Sequence, residues 1–179
     1  MKQPSREKNT NAISLLKSDH RMVEDMFKQI EATGDDTELA ELVVALQTAL
    51  SVHTRIEEEV FYPALRASVA GAGDLLDEAA IEHGSAKHFL IELSTSTNDD
   101  RFYRARLKVL KEHVNHHVRE EEEKLMPMAE SSDIDLEELG ALLSERRETL
   151  TTALEQGMPW TQSTGKPSAR VSRTARPQH

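Results

Sequence analysis

Two stretches of the chain place a histidine and a glutamate four residues apart. The first pair is His53 with Glu57, and the second is His117 with Glu121. Over the eleven residues that start at each histidine, six positions are identical: the histidine, an arginine, three consecutive glutamates and a final proline. Residues four apart lie on one face of an α-helix, with about 5–6 Å between their Cβ atoms. Both side chains of each pair can therefore reach metal in the same interior layer.

Each of these motifs is preceded along the chain by an acid–histidine pair. Asp19 and His20 come 34 and 33 residues before the first motif histidine, and Glu82 with His83 precedes the second at nearly the same separation. The chain thus repeats itself in two halves, and the repeat is stronger evidence than either motif alone.

The repeat interrupts otherwise apolar helix faces with polar side chains. Burying a carboxylate without a partner is costly, and a shared cation satisfies all the groups together. The predicted metal ligands are His20, His53, Glu57, His83, His117 and Glu121. Nitrogen and oxygen donors of this kind suit iron, manganese or zinc, and two carboxylates from opposite sides favour a bridged pair of ions. No catalytic residue is assigned beyond these ligands.

The register of the second motif has an alternative. His116 also has a glutamate four residues on, Glu120. Alignment of the two halves on their prolines selects His117 and Glu121 instead.

Two further side chains are additional candidate ligands. His113 lies one turn before His117 and offers a fifth nitrogen, while Glu24 lies one turn after His20. The direction of Tyr62 is left unassigned. The remaining glutamates of the two runs are expected to face solvent: Glu58, Glu59, Glu122 and Glu123.

The segments that carry these residues are predicted to be helices. Apolar residues recur every three or four positions in four long segments, and a weaker fifth segment follows. Short connections favour antiparallel, up-down neighbours. The predicted fold is all-α: an antiparallel up-down four-helix bundle with an extra C-terminal helix and a disordered tail. The prolines of the motifs are expected to end or kink their helices.

At these residues the sequence resembles the hemerythrin superfamily, in its bacterial HHE cation-binding form. The resemblance covers residues 11 to about 129. It implies two iron ions per chain, bridged by an oxo or hydroxo group, with no haem, and O2, peroxide or nitric oxide as the small-molecule ligand. Matched position by position, the six predicted ligands fall at the family's ligand positions. The predicted organisation is a flexible N-terminus at 1–10, the HHE domain at 11–130, an accessory helix at 133–156 and a disordered basic tail at 157–179.

Two departures from oxygen-carrying hemerythrins matter for function. Those carriers have a second histidine four residues after the third-helix ligand, where this chain has Lys87. His88 comes five residues after His83, about 140° round the helix, so it is a poor substitute. The carriers also place the fourth-helix carboxylate five residues after its histidine rather than four. These differences favour reactivity with oxidants over reversible oxygen carriage.

Three functional hypotheses remain open from the sequence. The first is a di-iron protein that senses, scavenges or detoxifies O2, peroxide or nitric oxide. The second is a catalase- or peroxidase-like di-iron enzyme that decomposes peroxide. The third is an iron-storage or iron-sensing bundle. A ferritin-like site is excluded, because no histidine has a glutamate three residues before it.

The composition excludes several types of site and limits the kinds of partner and cellular compartment that we expect. The chain has no cysteine, which excludes disulfides, thiolate metal sites and Fe–S clusters. Its net charge of −10 argues against nucleic-acid binding. No segment is apolar enough to span a membrane, and the N-terminus lacks the pattern of a secretory signal. The expectation is a cytoplasmic protein whose oligomeric state the sequence leaves open.

Overall fold

The computed structural model describes residues 11–159. Within them the chain folds into five helical rods, two of which consist of two α-helices joined by a π-helical turn. The predicted flexible N-terminus and all but the first three residues of the predicted basic tail lie outside the described residues. The helices are α1 (Ala12–Ala32), α2 (Asp36–Ile56), α3 (Tyr62–Ser68), α4 (Gly73–Thr95), α5 (Tyr103–Glu120), α6 (Met126–Glu130) and α7 (Leu136–Glu155). The predicted all-α bundle with an extra C-terminal helix is confirmed.

Short polar residues start three of the rods. Asn11 Oδ1 accepts the backbone N–H of Ile13 at the start of α1. Asp35 and Asp135 cap α2 and α7, each by accepting two backbone N–H groups of the first turn. These caps satisfy donors that have no partner within the helix.

Two rods contain a π-helical turn just before a proline. The turn Glu57–Phe61 joins α2 to α3, and the turn Glu121–Leu125 joins α5 to α6. A proline inside an α-helix clashes with the carbonyl four residues earlier, and the wider π turn relieves that crowding. Of the two expected effects of the prolines, an end or a kink, the structure contradicts the first, because α3 and α6 continue beyond them.

The core of the bundle is divided into two apolar layers. One layer contains Phe27, Leu46 and Leu110, and the other contains Phe61 and Met126 together with residues of α7. The predicted ligand histidines and glutamates are buried and belong to neither layer. The motif residues therefore form a polar section inside the bundle.

The fifth rod packs on one side of the bundle. α7 contacts α1, α2 and the first π turn. Its Leu139, Leu143 and Leu150 are buried against the apolar layer that includes Phe61. Among the described helices, none is both long and apolar enough to cross a membrane.

Candidate metal centre

The six predicted ligands meet in the middle of the bundle. Their side chains form two overlapping groups whose candidate ligand atoms lie within 4.8 Å of one another. The first group is His20, His53, Glu57 and Glu121, and the second is Glu57, His83 and His117. All six residues are at least nine-tenths buried.

The two groups follow the two halves of the sequence repeat and share a carboxylate. Glu57 Oε2 lies 3.3 Å from His53 Nε2 and 3.4 Å from His83 Nε2, so it faces both groups. Glu121 Oε2 likewise lies 3.3 Å from His20 Nε2 and 3.6 Å from His117 Nε2. Both carboxylates thus lie between the two imidazole pairs.

Several of the inward-facing atoms have no hydrogen-bond partner. They are His20 Nε2, His53 Nε2, both carboxylate oxygens of Glu57 and Glu121 Oε2. Buried polar atoms in proteins are nearly always paired, so a cluster of orphaned acceptors needs an explanation. A cation in the centre would satisfy all of them, and the residues present therefore fit a metal site.

The outward nitrogen of each imidazole faces a carboxylate. The Nδ1–oxygen distances are 2.8 Å from His20 to Glu122, 3.4 Å from His53 to Asp19, 3.0 Å from His83 to Glu58 and 2.8 Å from His117 to Glu82. Metal-binding histidines usually donate their second N–H to a carboxylate, which fixes the ring and directs the other nitrogen to the metal. The site therefore has a complete outer ring of acceptors.

This outer ring corrects one expectation from the sequence. Glu58 and Glu122 were expected to face solvent, yet each accepts from a buried histidine of the neighbouring helix. Glu59 is also partly buried, and it pairs with Arg55 and Arg146. Within the runs, only the exposed Glu123 follows the expected pattern. In both runs the first glutamate faces the centre and the second a histidine of a neighbouring helix, whereas the third is exposed only in the second run.

The two inner carboxylates, Glu57 and Glu121, differ in pKa because of burial and of the charges around them. Burial raises the pKa of Glu57 well above its ordinary value, and the nearby Glu121 carboxylate adds to the effect. Burial acts in the same direction on Glu121, but His117, His20 and His53 outweigh it and lower the pKa of Glu121. Two like charges this close do not both ionise readily, so without a cation the pair holds one proton.

The buried imidazoles also differ in their proton affinity. Burial lowers the pKa of His53 to about 4, despite its hydrogen bond to Asp19, and burial lowers the pKa of His83 as well. For His117, burial again acts to lower the pKa, but the charges of Glu121 and Glu82 prevail and raise it. Neutral imidazoles are the form that binds metal.

Tyr62 belongs to the site although the sequence left it unassigned. Its hydroxyl donates to Glu121 Oε1 at 2.9 Å and lies 3.2 Å from His83 Nε2. On a regular α-helix Tyr62 would be about 140° round from Glu57. The π turn between them holds an extra residue, which brings the phenol toward the carboxylate's face. The repeated proline was a signal for a widened turn, but not for the direction of the tyrosine.

The structure separates the alternative ligands from the central groups. The side chain of His116 is 51% exposed, and with Glu82 and Glu120 it forms a third, outer group that could hold a cation. Lys124 already pairs with Glu120 there. The central groups contain the register selected by the prolines, His117 with Glu121.

The two additional candidates lie outside the central groups. Glu24 pairs with Arg21 and Lys28 on the surface of α1. His113 is exposed, and its ring contacts Phe89 edge to face at 5.6 Å between centroids. Neither residue belongs to a ligand group among the described residues. His88 is exposed as well, in agreement with its unfavourable angle from His83.

A small cavity of about 20 Å³ adjoins the four imidazoles. Its apolar lining comprises Val23, Leu50, Ala86, Val114 and Val118, and His113 also borders it. A volume of this kind holds roughly one water-sized molecule. The cavity therefore offers room for a very small ligand next to the candidate metal ligands.

The sequence and the fold were compared with known protein families and solved structures. The family model described as hemerythrin HHE cation binding domain matches residues 11–129. The crystal structure of a hemerythrin HHE cation binding domain-containing protein, the Rv2633c homolog from Mycobacterium kansasii, superposes with a TM-score of 0.71. The two chains are 30% identical, and the match covers 82% of this chain and 91% of that one.

Two curated relatives match at the same level of identity. Protein Rv2633c of Mycobacterium tuberculosis is 28% identical over 144 residues, which are 78% of this chain and 87% of the relative. A DNA nickase of a Nostoc species is 28% identical over 123 residues, which are 69% of this chain. This match spans 34% of the nickase, so the chain corresponds to about a third of that protein.

Proposed function

The chain belongs to the hemerythrin HHE cation-binding family, and from that premise we propose that it is a non-haem di-iron protein that handles O2, peroxide or nitric oxide. The proposed ligands are His20, His53, Glu57, His83, His117 and Glu121. The observation that carries the proposal is the cluster of inward-facing nitrogen and oxygen atoms without a hydrogen-bond partner on four of these residues, His20, His53, Glu57 and Glu121. Iron bound there would supply the redox chemistry that converts a small oxidant.

The protein's own residues prepare the site for iron in two ways. The four outer carboxylates accept from Nδ1 of each imidazole and leave Nε2 directed inward. The two inner glutamates lie between the imidazole pairs, where bound cations would lower the cost of burying two like charges. Manganese and zinc accept the same donors, so the metal's identity is part of the proposal.

The cavity supports a very small ligand as the oxidant. At about 20 Å³ it holds roughly one water-sized molecule, which favours a ligand of only a few atoms. Its apolar wall would exclude bulk water from the imidazoles on that side. We therefore propose scavenging, sensing or detoxification of such small molecules.

A peroxide-decomposing enzyme is the second candidate, and Tyr62 is the observation that favours it. The phenol is buried beside Glu121 and His83, and burial together with the two inner glutamates raises its pKa. The neutral phenol has one O–H proton, which it donates to Glu121, and it could redirect that proton to a ligand next to the metal ligands. The third hypothesis, iron storage or sensing, requires that metal occupancy itself stabilises the bundle.

The nickase name of the Nostoc relative is not carried over to this chain. The shared segment is a third of that protein, and the chain's net charge of −10 opposes a DNA-binding role. A cytoplasmic location, which agrees with the lack of cysteine, likewise stays a prediction.

Elemental analysis combined with optical spectroscopy tests the proposal. Protein reconstituted with iron should hold two irons per chain and show near-ultraviolet bands that change when O2, nitric oxide or peroxide is added. Oxygen release from added peroxide would favour the enzyme over a binding protein. Less than one metal per chain, or zinc alone after iron reconstitution, would contradict the di-iron proposal.

A further inference from the structure

The four imidazole–carboxylate pairs differ in how their carboxylates are held. Glu122, which accepts from His20, also pairs with Arg21. Glu58, which accepts from His83, is contacted by Lys87 Nζ at 2.6 Å and 2.8 Å. These two outer pairs occupy equivalent positions of the repeat, and in each the carboxylate also meets a cation from the helix that carries its histidine.

The other two pairs are not equivalent. Asp19, the partner of His53, forms an ion pair with Arg147 of α7. Glu82, the partner of His117, faces the exposed His116 at 3.5 Å. No lysine or arginine among residues 11–159 pairs with Glu82. The fifth rod thus serves one half of the site.

The contact between Asp19 and Arg147 has a direct geometric consequence. A single oxygen, Asp19 Oδ2, faces both His53 Nδ1 and Arg147 Nη2. Aspartate has one methylene fewer than glutamate, and its 3.4 Å distance to the imidazole is the longest of the four. The carboxylate is nine-tenths buried, so without a cation it would be poorly compensated. The arginine therefore stabilises the carboxylate in the position that faces the ring.

We propose that Arg147 is a positioning residue for His53, acting through Asp19, and that it couples the docking of α7 to metal retention on the His20–His53 side. The proposal rests on the proposed metal site. It goes beyond that site because α7 lies after residues 11–129, the part matched by the family model. Outer partners of metal-binding histidines typically affect metal affinity 10–100-fold.

Release of ferrous iron to a chelator tests the coupling. Arg147→Ala should release part of its iron about tenfold faster than the unaltered chain. Asp19→Asn should have a similar effect, and the double variant should add little, because both changes remove the same contact. Arg147→Lys, which keeps the charge, should restore much of the retention and also provides a test if Arg147→Ala does not fold.

The neighbouring arginine provides the matched control. Arg146 lies on the same helix and pairs with Glu59, which is not the partner of any ligand histidine. Arg146→Ala should leave iron release nearly unchanged. Equal acceleration in Arg146→Ala and Arg147→Ala would overturn the proposal, since it would show that α7 acts by packing alone.

A spectroscopic readout separates positioning from general stability. In the chain loaded with zinc, the imidazole N–H signals can be followed by proton–nitrogen NMR. Arg147→Ala should broaden or remove the Nδ1–H signal of His53 and leave that of His117 in place. Unchanged signals with normal zinc binding would overturn the role of Arg147 but leave the proposed metal site in place. A chain that retains neither iron nor zinc would overturn the proposed metal site as well.

Discussion

The two halves of the repeat build the same arrangement but support it differently. Each half contributes a histidine pair, an inner glutamate and two outer carboxylates. In the first half α7 covers the outer side and Arg147 holds Asp19, whereas in the second half Glu82 faces an exposed histidine. The comparison teaches that a duplicated motif fixes the inner donors, while later elements of the chain make the two sides unequal.

A second difference lies beyond the inner glutamates. Tyr62 and Met126 occupy equivalent positions, each just before the repeated proline. Both are buried, but Tyr62 places a hydroxyl next to Glu121 and His83, which a methionine cannot do. The repeat therefore carries hydrogen-bonding chemistry at one of the two positions. In the proposed metal site, this asymmetry would make the two sides differ in their reaction with a small oxidant.

The largest expected effect comes from removing one inner histidine of each half. His53→Ala and His117→Ala should both lose metal and much of the loaded bundle's stability, because each leaves a buried carboxylate short of counter-charge. Metal per chain and the thermal unfolding midpoint are the measurements. The exposed His88 provides the control, and His88→Ala should retain full metal. Two irons per chain in both inner variants would refute the ligand assignment.

His53 and His117, which occupy equivalent positions of the repeat, should respond oppositely to acid in the metal-free chain. Burial lowers the pKa of His53 from 6.5 to about 4, so the unfolded chain binds this proton first as the pH falls. His53 therefore destabilises the fold increasingly below pH 6.5, by about 3 kcal/mol once the pH reaches about 4. The raised pKa of His117 has the opposite sign: it stabilises at low pH, and that stability is lost as the pH rises through the folded-state value.

Urea unfolding of metal-free variants between about pH 4 and pH 8 measures this contrast. His53→Gln should flatten the loss of stability in acid, and His117→Gln should steepen it. The same change in both variants would show that the two environments are electrostatically alike.

Glu58 and Glu122 should affect metal binding equally, in contrast to Asp19 and Glu82, which differ in the cation that each one meets. Glu58→Gln and Glu122→Gln each weaken the acceptor for one imidazole and remove one ion pair. Both should lower metal affinity by a similar factor of about ten, measured by competition with a chelator. Glu123→Gln, at the exposed position of the same run, should have no effect. If only one of these two variants strongly lowers metal affinity, the two positions are not equivalent and the expectation is wrong.

The smallest expected effect belongs to the tyrosine. Tyr62→Phe should keep the metal but lower the free energy of unfolding by about 1 kcal/mol, since Glu121 loses a hydrogen bond. The near-ultraviolet spectrum should then respond differently to peroxide. Tyr103→Phe, at a buried tyrosine of the other apolar layer, is the control for removing a phenol. An unchanged response to peroxide would remove the support for a peroxide-decomposing enzyme.

The sequence alone determined the inner donors and the fold. Helical periodicity predicted the rods, and the fixed i, i+4 geometry required His53 with Glu57, and His117 with Glu121, to share a helix face. The repeated proline selected the register that the structure buries, because a one-residue shift turns a helical side chain by about 100°. These features depend on local geometry, which neighbouring residues largely fix.

Only the tertiary structure decided which groups surround those donors. The partners of the imidazoles come from other helices, as when Glu122 of the second π turn reaches His20 on α1. Arg147 meets Asp19 across 128 positions of the chain, a contact that helix packing creates and no local spacing encodes. The direction of Tyr62 also escaped the sequence, because a π turn changes the angle per residue and its formation depends on how the whole helix packs.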